Sequence, residues 1–144
     1  MPIVKKSALV PYPAERMFEL VADMESYPEF LPWCRSAAIL SREEDSFCGC
    51  MEVSRLGVHQ TFTTCNRFEP GRRMKIDLLD GPFRKLTGGW SFIPLRRDAC
   101  KVELELDFEF SGSLIDKAFG AVFHQVANTL VDAFCRRADE VFGD

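Results

Sequence analysis

Between Ser113 and Phe142 apolar residues recur at three- and four-residue spacing. Leu114, Ile115, Ala118, Phe119, Val122, Phe123, Val126, Ala127, Leu130, Val131, Phe134, Ala138, Val141 and Phe142 form the series. On a helix of about 3.6 residues per turn they make one broad apolar stripe, with Gln125, Asn128, Asp132, Arg136 and Asp139 opposite. Ser113 with Asp116 three residues on reads as an N-terminal cap, and Gly143 as a stop. Such a helix runs roughly 45 Å, more than one flank of a small domain needs, so Gly120 is expected to divide it. A stripe this wide and aromatic requires a large apolar partner surface.

Earlier in the chain the pattern alternates with period two. Ile3 to Val10 reads as a strand, and Pro13 opens a helix over Ala14 to Asp23 with Met17, Phe18 and Val21 inward. In Tyr27-Pro28-Glu29-Phe30-Leu31-Pro32-Trp33-Cys34, each proline pushes its predecessor toward extended geometry, leaving room for at most one helical turn. This greasy segment is either a plug closing the core or the lip of a ligand cavity. Six strands follow: Ala37 to Ser41, Phe47 to Ser54, Val58 to Phe68, Met74 to Leu79, Leu86 to Ile93 and Cys100 to Phe110. The turns between them, Leu56-Gly57 and Asp80-Gly81-Pro82 among them, are short enough to join antiparallel neighbours. In the last strand Val102, Leu104, Leu106, Phe108 and Phe110 face one way and Glu103, Glu105, Asp107 and Glu109 the other. One face therefore lies in the core and one in water. Gly88 and Gly89 mark a bulge or strong curvature. The predicted fold is α+β, in the order β-α-α-β6-α: a curved antiparallel sheet of about seven strands around a long C-terminal helix.

Composition narrows the function classes. The 144 residues suffice for one domain, and 47% apolar with 28% charged is ordinary for a globular protein. A net charge of −4 argues against a dedicated nucleic-acid binder, DNA included, and counts mildly against ribosome binding, although Arg72-Arg73 with Lys75 and Arg96-Arg97 form local basic patches. Met1 to Lys6 carry no signal or transit pattern, so the expected location is cytoplasmic. Six cysteines lie in regular segments without CxxC or HxxxH spacing, so reduced, mostly buried thiols are expected and no metal site. Cys48 and Cys50, sharing a strand face, sit at the far edge of disulfide reach.

Three stretches together resemble a known family. They are Tyr27 to Cys34; Asp80-Gly81-Pro82-Phe83 with Leu86, Gly88, Trp90 and Phe92; and Phe119-Gly120, Val126-Ala127, Val131-Asp132-Ala133-Phe134 and Arg137-Ala138. The chain is similar to START-like, helix-grip proteins of the coenzyme Q-binding and RatA ribosome-association-toxin type, also labelled oligoketide cyclases or lipid transport proteins. The resemblance spans nearly residues 1–144 and implies a hydrophobic cavity between sheet and C-terminal helix. The residues expected to bind a ligand there are Phe30, Leu31, Trp33, Phe83, Trp90, Phe92, Phe119, Phe123 and Val126.

Three functions follow, of which the first is favoured. It is non-enzymatic binding of a hydrophobic lipid, ubiquinone or a similar polyprenyl lipid, supporting respiratory electron transport. No cofactor is required, and contact with the inner face of the membrane is transient. In that reading Phe83 stands on an exposed, mobile tip that dips into the membrane interface. The second is a RatA-type toxin that binds the large ribosomal subunit and blocks subunit association. The third is a polyketide cyclase. No GxSxG, HExxH, phosphate loop or dinucleotide fingerprint is present, and His59 and His124 read as solvent-facing or satisfied, so no catalytic residue is assigned.

Overall fold

The computed structural model describes residues 3–55, 57–110 and 112–143, and their side chains except those of 113–117. Strand β1 (Ile3–Val10) leads into helix α1 (Ala14–Ala22) and a short 3-10 helix (Met24–Glu29). Strands β2 (Cys34–Arg42), β3 (Ser46–Arg55), β4 (Val58–Glu69), β5 (Arg73–Asp80), β6 (Phe83–Arg96) and β7 (Ala99–Phe110) follow, and α2 (Ser113–Phe142) ends the chain. The order across the seven-stranded sheet is β1-β7-β6-β5-β4-β3-β2, antiparallel at every pairing. This is the helix-grip arrangement, with α2 packed against β7, β4 and β1 and touching α1.

The inward alternation is clean where the sheet meets α2. Val102, Leu104, Leu106 and Phe108 of β7 are buried, as are Phe119, Val122, Phe123, Val126, Ala127, Val131, Phe134 and Ala138 of α2. Ala127 and Ala138 are fully enclosed, so the helix backbone lies close to its neighbours at those turns. On the outer face, Lys5 meets Glu105 at 3.9 Å and Lys85 meets Asp107 at 2.8 Å, which offsets the acidic row of β7. These pairs are solvent-screened and contribute little individually.

Several expectations are corrected. Helix α2 is continuous and Gly120 does not divide it. A Cβ at Gly120 would lie 3.4 Å from the Phe110 ring, so the glycine admits that ring beside the helix. Gly112 occupies the N-cap position. The expected Ser113–Asp116 cap and the stripe positions Leu114 and Ile115 lie outside the described side chains, and Leu56 outside the described residues. Tyr27 is not extended: it sits inside the 3-10 helix with Pro28. Its carbonyl accepts from the N–H groups of Phe30 (3.2 Å) and Leu31 (2.9 Å), and burial of its ring holds the turn. Strand β6 starts at Phe83 rather than Leu86 and runs to Arg96.

The cysteines are not all reduced. Cys48 and Cys65 form a disulfide, while Cys34, Cys50, Cys100 and Cys135 are free. The antiparallel β3–β4 register places Cys48 directly opposite Cys65, with Cα atoms 4.0 Å apart. Cross-strand neighbours approach more closely than residues two apart on one strand, and that register is invisible in spacing alone.

The two glycines of β6 serve curvature. Their register against β7 is unbroken, Gly88 opposite Leu106 and Gly89 opposite Glu105, so no bulge occurs here. A Cβ at Gly88 would fall 2.0 Å from the Glu105 carbonyl oxygen, and one at Gly89 2.3 Å from that of Met74. Gly88 also has φ +147°, a region L side chains rarely adopt. Gly88→Ala is therefore expected to destabilise the fold by about 2–4 kcal/mol, seen as a lower midpoint in urea denaturation. An unchanged midpoint would show that the strands can part without loss.

Candidate functional site

The Tyr27–Cys34 segment is pinned from both sides. The Trp33 carbonyl accepts from the Ser54 N–H of β3 at 2.8 Å, and the Tyr27 hydroxyl donates to the Val21 carbonyl at 2.5 Å. Toward α2, the rings of Tyr27 and Phe30 each meet Phe134 edge-on at 5.3 Å. The Arg137 guanidinium lies 5.0 Å above Phe30 and bonds the Glu29 carboxylate at 2.9 Å. Burial pushes the Tyr27 phenol well above its ordinary pKa, so it stays protonated and serves as a donor.

Behind this segment lies an apolar cavity of about 80 Å³, bordered by Tyr27, Trp33, Met51, Phe62, Trp90, Leu106, Phe123, Val126, Leu130 and Phe134, among others. Its far end is closed by phenylalanines. Phe62 and Phe123 meet Phe83 at 5.5 and 4.9 Å, and Phe110 and Phe119 pack behind it at 5.2 and 5.7 Å. One polar pair intrudes. Thr64 Oγ1 donates to Asn66 Oδ1 at 2.9 Å, and Asn66 Nδ2 is left with the Met74 thioether at 3.4 Å. In front of the segment is a cleft of about 350 Å³ that includes Glu29, Phe30, Leu31, Arg55, Gln125, Arg136, Arg137 and Glu140. Trp33 and Val126 border both spaces and form the partition between them.

The expected ligand-binding residues thus divide. Trp33, Trp90, Phe123 and Val126 border the cavity, and Phe30 and Leu31 border the cleft. Phe83, Phe92 and Phe119 border neither. Phe92 packs under α1, 5.7 Å from Phe18, and Phe119 sits in the phenylalanine cluster. Phe83 is 5% exposed rather than standing on a free tip, because β6 begins at it and pairs it with Phe110. That removes the membrane-dipping role assigned to it. Thr64, Asn66 and Arg55 are not among the residues the sequence singles out, and Arg137 stands there only within the family motif. The signal for the first two was a polar pair in the inward row Phe62, Thr64, Asn66, Phe68 of β4.

Catalytic geometry is sparse. His59 contacts Glu52 on the outer face, and His124 Nδ1 accepts from Asn128 Nδ2 at 3.0 Å along α2. The bonds from His59 and then Ser36 hold the half-buried Glu52 carboxyl below its usual range. Neither histidine borders the cavity. Among the described residues no group of three or more His, Cys, Asp or Glu is placed to hold a metal, and no helix is long and apolar enough to cross a membrane. Burial pushes the Cys34 thiol up to about 11, which lowers its thiolate fraction at neutral pH roughly hundredfold. Iodoacetamide at pH 8 is therefore expected to modify Cys34 far more slowly in native than in unfolded protein, with Cys48 and Cys65 recovered as one linked peptide. Equal rates would contradict the burial.

Comparison with known proteins agrees with this architecture. Residues 10–135 match the family described as polyketide cyclase/dehydrase and lipid transport. The ribosome association toxin RatA of Vibrio cholerae is 48% identical over 141 residues, covering 98% of each chain. The mitochondrial coenzyme Q-binding protein COQ10 homolog B of Xenopus laevis is 27% identical over 142 residues, covering 96% of this chain and 58% of that one. Among solved structures, the Zhui aromatase/cyclase of a Streptomyces species superposes with TM-score 0.84 at 19% identity, covering 96% of this chain and 93% of that one. A likeness at that identity speaks for fold alone. The chain belongs to the polyketide cyclase/dehydrase and lipid transport family, in the START-like group that includes the RatA and COQ10 proteins.

Proposed function

We propose that this chain associates with the ribosome, at the large subunit and against subunit joining, and that it does so through one end of its sheet. The carrying observation is a basic and apolar patch on a protein of net charge −4. Strand β5 pairs with β6 only as far as Arg73 opposite Ser91, so the β6–β7 hairpin overhangs the sheet beyond Phe92. The overhang presents Ile93 and Leu95, 40% and 51% exposed, with Arg96 and Arg97 at its turn. Arg72 and Arg73, from the β4–β5 turn, share a groove with Ile93, Pro94 and Glu103, the last paired with Lys101 at 3.8 Å. Among these four arginines only Arg73 has an ion pair within the described residues, a loose one of 3.9 Å to Glu69. Guanidinium groups left open beside apolar side chains suit RNA phosphates and exposed bases. The name of the RatA relatives supports the reading.

Binding a hydrophobic lipid, ubiquinone or a similar polyprenyl lipid, is the second reading, and the apolar cavity with the COQ10 relative favours it. Ligand pockets usually measure about 300–1,000 Å³, so the 80 Å³ present accepts such a chain only if the Phe30–Trp33 segment swings away from α2. Respiratory support and transient membrane contact belong to that second reading. A polyketide cyclase would need an ionisable pair in the cavity, where the polar side chains are Tyr27, Thr64 and Asn66.

The double variant Arg96→Glu, Arg97→Glu is expected to weaken binding to isolated large subunits by at least about tenfold and to flatten its dependence on salt. Co-sedimentation across a salt series measures both. Unchanged affinity in a folded variant would overturn the assignment of this surface.

A further inference from the structure

The cleft in front of the Tyr27–Cys34 segment carries more positive charge than its own acids neutralise. Arg137 is occupied: Glu29 bonds it at 2.9 Å, Glu140 lies 3.6 Å away, and its guanidinium covers Phe30. Arg55 and Arg136, which border the same cleft, have no ion-pair partner among the described residues. Arg55 Nε is moreover buried with no hydrogen-bond acceptor. A buried donor without an acceptor is destabilising, the more so on a charged group, and an anionic oxygen in the cleft would relieve it. The cleft's inner wall, Trp33 and Val126, is also the outer wall of the apolar cavity. A cationic cleft and an apolar cavity therefore meet across two side chains.

We infer that this cleft binds the acidic head of an amphiphile, a monocarboxylate or monophosphate on an alkyl chain, with Arg55 and Arg136 on the head and the chain passing Trp33 and Val126 into the cavity. One surplus positive charge, three arginines against two glutamates, matches the single charge of a carboxylate; a phosphate monoester, at about −1.5 to −2 near pH 7, exceeds it, though by less than a diphosphate does. The Arg55 Nε–H would donate to a head-group oxygen, and the exposed Arg136 would supply the second cation without desolvation. This rests on the reading of the cavity as a lipid site and is independent of ribosome association. It differs from quinone binding, since a quinone head carries no charge for the arginines to meet.

The test uses the full chain, with the fluorescence of Trp33 and Trp90 reporting titration with decanoate, decyl phosphate and 1-decanol below their micelle concentrations. Either anion is expected to bind at least about tenfold tighter than the alcohol, the equivalent of one charge-assisted hydrogen bond. Arg55→Gln and Arg136→Gln should each reduce that advantage, and high salt should shrink it. Tighter decanoate assigns a fatty acid as the head's source; tighter decyl phosphate assigns a lipid phosphate. Arg136 is exposed, so its variant keeps the test valid if Arg55→Gln fails to fold. Equal binding of acid and alcohol, or arginine variants that bind as the wild type does, would overturn the head-group site and leave the apolar cavity standing. No binding of any of the three would overturn both.

Discussion

Everything in this molecule depends on one apolar contact, the face of α2 held in the concave side of the sheet. Eight α2 side chains from Phe119 to Ala138 are buried there, three of them phenylalanines. Removing a buried phenylalanine side chain from such a setting typically costs about 3–5 kcal/mol, a large part of the net stability of a domain this size. The sheet can only enclose a helix if it bends, and the bend requires neighbouring strands to approach where β6 has no side chains. Gly88 and Gly89 are that place. The helix stripe and the two glycines are thus halves of one device.

The same contact decides where function can sit. Close packing along α2 leaves little empty space, about 80 Å³, and the phenylalanines around Phe83 close one end of it. The other end is governed by the 3-10 segment, whose grip on α2 is a pair of edge-on aromatic contacts and the Arg137–Glu29 bond. Movement there costs less than movement in the phenylalanine cluster, so in the lipid-binding reading a ligand would enter beside Trp33. The β6–β7 overhang lies outside this packing and can engage a large partner without disturbing α2. A small ligand inside and a ribosome outside are therefore compatible on one chain.

Much of the fold was legible because its signals are periodic. The acid–apolar alternation of β7 and the α2 stripe each follow one element, and α2 ends at Phe142 before Gly143 as the sequence reads, while its cap is Gly112 rather than Ser113. What escaped depends on register or on contacts between distant segments. The Cys48–Cys65 bond needs the β3–β4 pairing. The burial of Phe83 needs the β6–β7 pairing, because a residue after Gly-Pro otherwise reads as a turn. In the candidate site the aromatic residues were visible as a class, but their division between cavity, cleft and filled core was not, since all nine are apolar. Arg55 and Arg137 look like surface charges in one dimension and meet only when β3, the 3-10 segment and α2 converge.

The central claim is that the overhanging end of the sheet is the ribosome-facing surface. Hydrogen exchange of this protein, with and without isolated large ribosomal subunits, tests it most directly. The account predicts slowed exchange in the β4–β5 turn around Arg72 and in the β6–β7 turn from Ile93 to Asp98. Slowing confined to the Phe30–Trp33 segment and the second half of α2, or absent everywhere, would contradict it.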